Sequence, residues 1–161
     1  MSPTITHQRT ALGDVTPNNL GQLRKLNTIL FPVNYGEKFY NDLAEAGELA
    51  KLAYYNDVCV GAVCCRKDNV DGKTTIYMMT LGVLEPYRRL GLGHQLLGHI
   101  LEQAKDMKPA VESVQLHVQT TNDSAVAFYK KYGFEVTSTV KDYYKKIEQR
   151  DAYVLTKTIE H

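Results

Sequence analysis

The chain has 161 residues, of which 43% are apolar and 23% charged, and its formal net charge is +1. That length and balance suit a single globular domain with a sizeable core, and the near-zero charge excludes a general electrostatic grip on nucleic acid. No apolar run approaches the ~20 residues of a membrane span, and the opening MSPTITHQRT has no apolar signal-peptide core, so a soluble, intracellular protein is expected.

No repeat or low-complexity linker divides the chain. Residues 12–159 are therefore expected to form one domain, after a loosely held segment over 1–11. A first strand is expected within ITHQRTALGDV. Thr16-Pro17 then reads as an N-cap with proline at the first helical position. Leu20, Leu23, Leu26, Ile29 and Leu30 recur at helical spacing until Pro32 stops them. FPVNYGEKF is a loop into a shorter helix over EKFYNDLAEA.

LAKLAYY and VCVGAVCC flank Asn56-Asp57, the pattern of a hairpin. Asp71-Gly72 marks a second turn before TTIYMMTLGVL. The three cysteines, Cys59, Cys64 and Cys65, share one strand-like run. Neither a disulfide framework nor a zinc template has that spacing. Thiols lining a core strand are the expectation, with a reactive thiol as the alternative.

The pattern then changes. A helix over roughly 91–105 leads to the strand SVQLHVQ, and a helix over roughly 124–132 leads to FEVTSTV. AYVLTKTI reads as a last strand. Alternating strands and helices imply right-handed crossovers with locally parallel pairing. An antiparallel first half and a βαβ-like second half make a mixed α/β (α+β) sheet with helices on its faces.

Between the TTIYMMTLGVL strand and the helix after it lies PYRRLGLGHQLL. Bare glycine backbone at a helix N-terminus, with Arg88 and Arg89 beside it, suits a phosphate group. No Gly-Lys-Ser/Thr follows, as a Walker loop requires, and no third glycine completes a dinucleotide fingerprint. A tightly packed helix entry with solvated arginines is the competing explanation. Further on, NDSAVAFYKKYGFEV has Asn122, Ala125, Phe128, Tyr129, Gly133 and Phe134 at the spacing N-x-x-A-x-x-F-Y-x-x-x-G-F.

Together, Arg-x-x-Gly-x-Gly and this second motif resemble the coenzyme A site of the GCN5-related N-acetyltransferases. The segments GDVTPNNLGQLRKLN, FPVNY, AKLAYYND, GAVCCR, LHVQ and DYYKKIE extend the likeness from Leu12 onward to the NatE type of N-terminal acetyltransferase. The resemblance implies a sheet splayed at a cofactor cleft and acetyl-CoA as co-substrate. The turn Arg88, Arg89, Gly91, Leu92, Gly93 and His94 would hold its pyrophosphate. Leu81 and Val83 would line the pantetheine arm, and Asn122, Ala125 and Tyr129 would face the cofactor. Its acceptor would be the α-amine of proteins starting with Met and another residue. A ribosome-associated acetyltransferase complex is the implied partner, and neither nucleic acid nor membrane is expected as one.

In SVQLHVQ, Val114, Leu116 and Val118 alternate with Gln115, His117 and Gln119, which puts His117 on the polar face of its strand. A lone histidine there is ordinarily a surface or core residue. The resemblance makes His117, with Tyr77 on the neighbouring strand, the pair that positions a water to take the amine's proton, and places Tyr129 near the cofactor sulfur. It also assigns Phe31, Pro32, Val33 and Tyr35, with Tyr143 and Tyr144, to the peptide pocket, where Met79 would favour an apolar first residue. His7, His94, His99 and His161 show no ligand spacing, so no metal is expected. Against the family pattern, KDMKPAVES is one residue longer, the first ten residues do not match, and a longer partner-binding tail is not expected. The alternatives are a lysine or small-amine acetyltransferase of the same fold, and a CoA-binding module that anchors a larger complex.

Overall fold

The computed structural model describes residues 9–31, 35–143 and 151–160. Pro32, Val33 and Tyr144, expected in the peptide pocket, lie outside them. Four α-helices and seven strands are found among the described residues, with the strands ordered β1-β2-β3-β4-β5-β7-β6. None of those helices is long and apolar enough to cross a membrane. The chain divides into two compact units: the first runs to Cys65 and adds Thr80–Gln103, and the second comprises Arg66–Met79 with Ala104 onward.

In the first unit, β1 (Thr10–Asp14) pairs antiparallel with β2 (Ala50–Tyr55), and β2 with β3 (Val58–Val70). Asn56 and Asp57 turn the hairpin at φ 50° and 67°, the left-handed pair that matches strand twist. Helix α1 (Leu20–Leu30) starts one turn later than the Thr16-Pro17 signal, after a 3-10 turn over Pro17–Asn19. The cause is Asn19, whose Oδ1 accepts from the Thr16 amide at 2.8 Å while its Nδ2 donates to the Asp14 carbonyl at 2.9 Å. At the other end Phe31 is extended (φ −129°, ψ 142°), as the residue before a proline must be. Leu23 and Leu26 are buried, and α2 (Glu37–Ala44) buries Tyr40 and Leu43.

Strand β3 is buried without interruption from Cys59 to Cys65, so its thiols line the core. Burial pushes Cys64 up to about 12 and Cys65 well above its ordinary range, because a thiolate in apolar surroundings has lost its hydration. The native protein should therefore leave all three thiols unmodified by an aromatic disulfide reagent at pH 8 and expose them in guanidinium. A thiol titrating in the native state would restore the reactive alternative.

Strand β4 (Lys73–Val83) runs from the second unit back into the first, following the Asp71-Gly72 turn at φ 52° and 78°. Helix α3 (Leu92–Asp106) buries Leu92, Leu96, Leu97 and Ile100, one stripe at helical spacing.

The second unit adds β5 (Val111–Gln119), α4 (Asp123–Lys131), β6 (Glu135–Val140) and β7 (Ala152–Thr158). The β4–α3–β5 crossover gives the expected parallel pair, from Thr74↔Val111 to Tyr77↔Gln115, and both strands continue past it. The second crossover departs from expectation: β6 does not lie beside β5. Strand β7 enters between them, antiparallel to both. Burial explains this, since Ala152 and Leu155 of β7 are fully buried whereas β6 is exposed over almost all its length. The strand with two apolar contacts takes the interior place and the polar one the edge.

Candidate active site

Tyr77 and His117 meet in the second unit. Their strands pair at Tyr77↔Gln115, which brings Gln115 and His117 onto the face that Tyr77 occupies. The Tyr77 hydroxyl lies 2.6 Å from His117 Nδ1, within hydrogen-bond reach. Tyr143 completes the group: its ring stacks on the imidazole with centroids 4.0 Å apart and planes 1° from parallel, and its hydroxyl is 3.3 Å from that of Tyr77. Burial moves the His117 pKa below its usual 6.5, because the imidazolium loses hydration. The ring is thus neutral at physiological pH, the form that can accept a proton.

Arg66 is the residue that sequence reasoning missed. Its guanidinium carbon sits 4.6 Å from the Tyr77 ring centroid, and its Nε donates to Asp68 Oδ1 at 3.0 Å. Its signals were the abrupt change from the CVGAVCC run to Arg66-Lys67-Asp68 and its place at the end of the GAVCCR segment.

Tyr129 lies on the other face. Its hydroxyl approaches the Met78 sulfur at 3.9 Å, and Met78 is buried next to Tyr77 along β4, so the two side chains point to opposite sides of the sheet. The Tyr129 ring also makes edge contacts with Phe128 and Phe134. Packing in the helix–sheet core is what this placement shows. Asn122 caps α4, its Oδ1 accepting from the Ala125 amide at 3.2 Å. Met79 is half-buried, on the Tyr77 side by strand alternation.

The glycine-arginine turn belongs to the first unit. Arg88 Nε donates to the Val83 carbonyl at 2.8 Å, so part of this guanidinium holds the turn against the end of β4. Arg89 is left-handed at φ 69° and Gly91 at φ 84°, and α3 opens at Leu92 with the Gln95 amide donating to the Gly91 carbonyl at 3.0 Å. Among the described residues, nothing but its own chain neighbours lies within 4 Å of the point where a Gly91 Cβ would stand. Leu92 is 1% exposed, which leaves its amide, not its side chain, for a ligand. Bare backbone, open space and the unpaired amides of a 15-residue helix fit a pyrophosphate.

Phe31 and Tyr35 also lie in this unit. Tyr35 stacks on Phe39 of α2 at 4.2 Å, and Phe31 packs over β4 at Gly82. No three His, Cys, Asp or Glu side chains gather as a metal site among the described residues.

A family model described as the acetyltransferase (GNAT) family matches residues 20–134. The chain belongs to that family. It is 56% identical over 155 residues to the probable N-acetyltransferase san of Drosophila melanogaster, covering 96% of this chain and 84% of that one. It is 53% identical to N-alpha-acetyltransferase 50 of Danio rerio, with 94% and 89% covered. Among solved structures it is similar to Arabidopsis thaliana Naa50 in complex with the bisubstrate analogue CoA-Ac-MVNAL, at 50% identity and a TM-score of 0.86, covering 92% of this chain and 98% of that one. The mixed seven-stranded sheet is the GNAT fold, and acetyl-CoA is the acetyl donor of this enzyme.

Proposed function

We infer that this GNAT enzyme acetylates the α-amine of proteins that begin with Met followed by another residue. The observation that carries the reading is the Tyr77–His117 pair at 2.6 Å, in a chain half identical to an enzyme solved with CoA joined to a Met-starting peptide.

An α-ammonium has a pKa of about 8, so it must give up one proton before it attacks, and a weak base suffices. His117 and the hydrogen-bonded Tyr77 hydroxyl position a water that takes that proton, Tyr77 orienting and His117 accepting. Burial keeps His117 neutral for this task. Tyr143, stacked on the ring, fixes its plane, and Arg66 fixes the plane of Tyr77. Gly91, Gly93 and the α3 amides hold the donor's pyrophosphate, with Arg88, Arg89 and His94 around it. Leu81 and Val83 of the first unit are the strand positions the family likeness gives to its arm; in the second unit Asn122 and Ala125 are its cofactor positions, while Tyr129 is packed against Met78. Of the positions the family likeness gives to the acceptor, Phe31 and Tyr35 belong to the first unit and Met79 and Tyr143 to the second. With protein N-termini as acceptors, the enzyme is assigned to work beside a ribosome-associated acetyltransferase complex in the cytoplasm, with the nucleus as a second compartment.

A peptide panel with labelled acetyl-CoA tests the acceptor. Free Met-Leu and Met-Val peptides should be acetylated, and the same peptides with a blocked α-amine and an internal lysine should not. Comparable labelling of the blocked peptides would move the acceptor to lysine.

A further inference from the structure

We propose that Gly82 is a positioning residue for the acceptor: its missing side chain seats the Phe31 ring on β4, and any side chain there changes how the enzyme takes the first substrate residue. This rests on the reading that Phe31 lines the acceptor pocket.

A Cβ on Gly82 would stand 2.9 Å from Phe31 Cζ and 2.9 Å from Leu30 Cδ1, well inside the usual ~3.5–4.0 Å of carbon contacts. One of three things must then move: the leucine methyl, the ring, or the strand. Leu30 can turn its terminal methyl aside at small cost. The strand cannot retreat, because β3 holds it from the other side. A Cβ on Gly61 would already meet the Gly82 carbonyl oxygen at 2.9 Å and Val83 Cγ2 at 3.1 Å, and the Leu84 amide is tied to the Val60 carbonyl at 2.8 Å. The rigid aromatic ring is left to swing away. Phe31 is also the point where α1 ends and the chain turns extended.

The same stretch of β4 carries Leu81 and Val83 toward the donor. Gly82 is therefore where donor strand and acceptor wall share one backbone. A substitution aimed at its open side should act on the acceptor and spare the donor.

The test is G82A with and without F31L, assayed with a Met-Val-Asn-Ala-Leu peptide and acetyl-CoA. Beside Phe31, G82A should raise the peptide KM at least tenfold, change kcat less than threefold and leave the acetyl-CoA KM within twofold. In the F31L chain, where the colliding ring is gone, G82A should change the peptide KM less than twofold. Equal factors in both backgrounds, or a loss confined to acetyl-CoA, would overturn the proposal. Thermal midpoints separate the seat from the pocket: G82A should lower Tm beside Phe31 and not in F31L. If F31L alone keeps the native peptide KM, the acceptor reading of Phe31 fails while the Tm cycle still decides the seat. If G82A does not fold, the double variant should, and a double variant that also fails to fold overturns the seat.

Discussion

Replacing His117 by alanine should lower kcat/KM for a Met-starting peptide by roughly 10²–10⁴-fold, the contribution of a positioned proton acceptor, with the acetyl-CoA Kd within twofold of native. That loss corresponds to about 3–5 kcal/mol of transition-state stabilisation. The fold should survive it. His117 faces the half-buried side of β5, whose core contacts are Val114, Leu116 and Val118, and its backbone stays paired with Val154. Y77F is the companion variant, since it removes only the hydroxyl hydrogen-bonded to His117. The acid limb of the kcat profile gives the second readout. Burial disfavours the imidazolium, so the neutral base persists as pH falls to 6.5 and is lost only below. The part of the limb that disappears in H117A should therefore lie under pH 6.5. Native turnover in H117A would end the assignment.

Gly91→Glu should weaken acetyl-CoA binding by more than a hundredfold in calorimetry. Two effects act on the fold and oppose each other. A side chain at φ 84° costs about 1–2 kcal/mol in the left-handed region, whereas a carboxylate beside a helix N-terminus is favoured by roughly 0.3–1 kcal/mol. The net cost of about 1 kcal/mol is small beside the roughly 5–15 kcal/mol that holds a domain folded, so the loss falls on the ligand. There the new carboxylate would occupy the open space beside Gly91 and repel the donor's phosphates. Gly91→Ala separates strain from charge and should lose far less. Unchanged CoA affinity in Gly91→Glu would remove the pyrophosphate from this turn.

Much of this architecture is written locally. Asn56-Asp57 and Asp71-Gly72 announce their hairpins because few residues tolerate positive φ, and the alternation around His117 put it on the correct face. What stayed hidden depends on partners distant in the chain. Nothing in AYVLTKTI says that it will enter between β5 and β6, since that place is settled by which strand can be buried on both faces. Tyr129 and Tyr77 both read as site tyrosines, yet one residue of strand offset sets Met78, the partner of Tyr129, on the side opposite Tyr77. Asn122 and Arg88 carry motif positions and also serve the backbone, as a helix cap and a turn clamp. The stacking of Tyr143 on His117 joins residues with two whole elements between them, α4 and β6.

The place of β7 has a consequence for the order of folding. His117 stands in register with Val154, so the histidine's strand gains one of its two neighbours only after α4 and β6 have been synthesised. Long-range pairing of this kind is slow and comes late, and a chain still in translation holds β5 with an unsatisfied edge. The imidazole is then without the sheet that sets its position. An enzyme that modifies proteins at their beginnings thus completes the sheet around His117 only once its own β7 has left the ribosome.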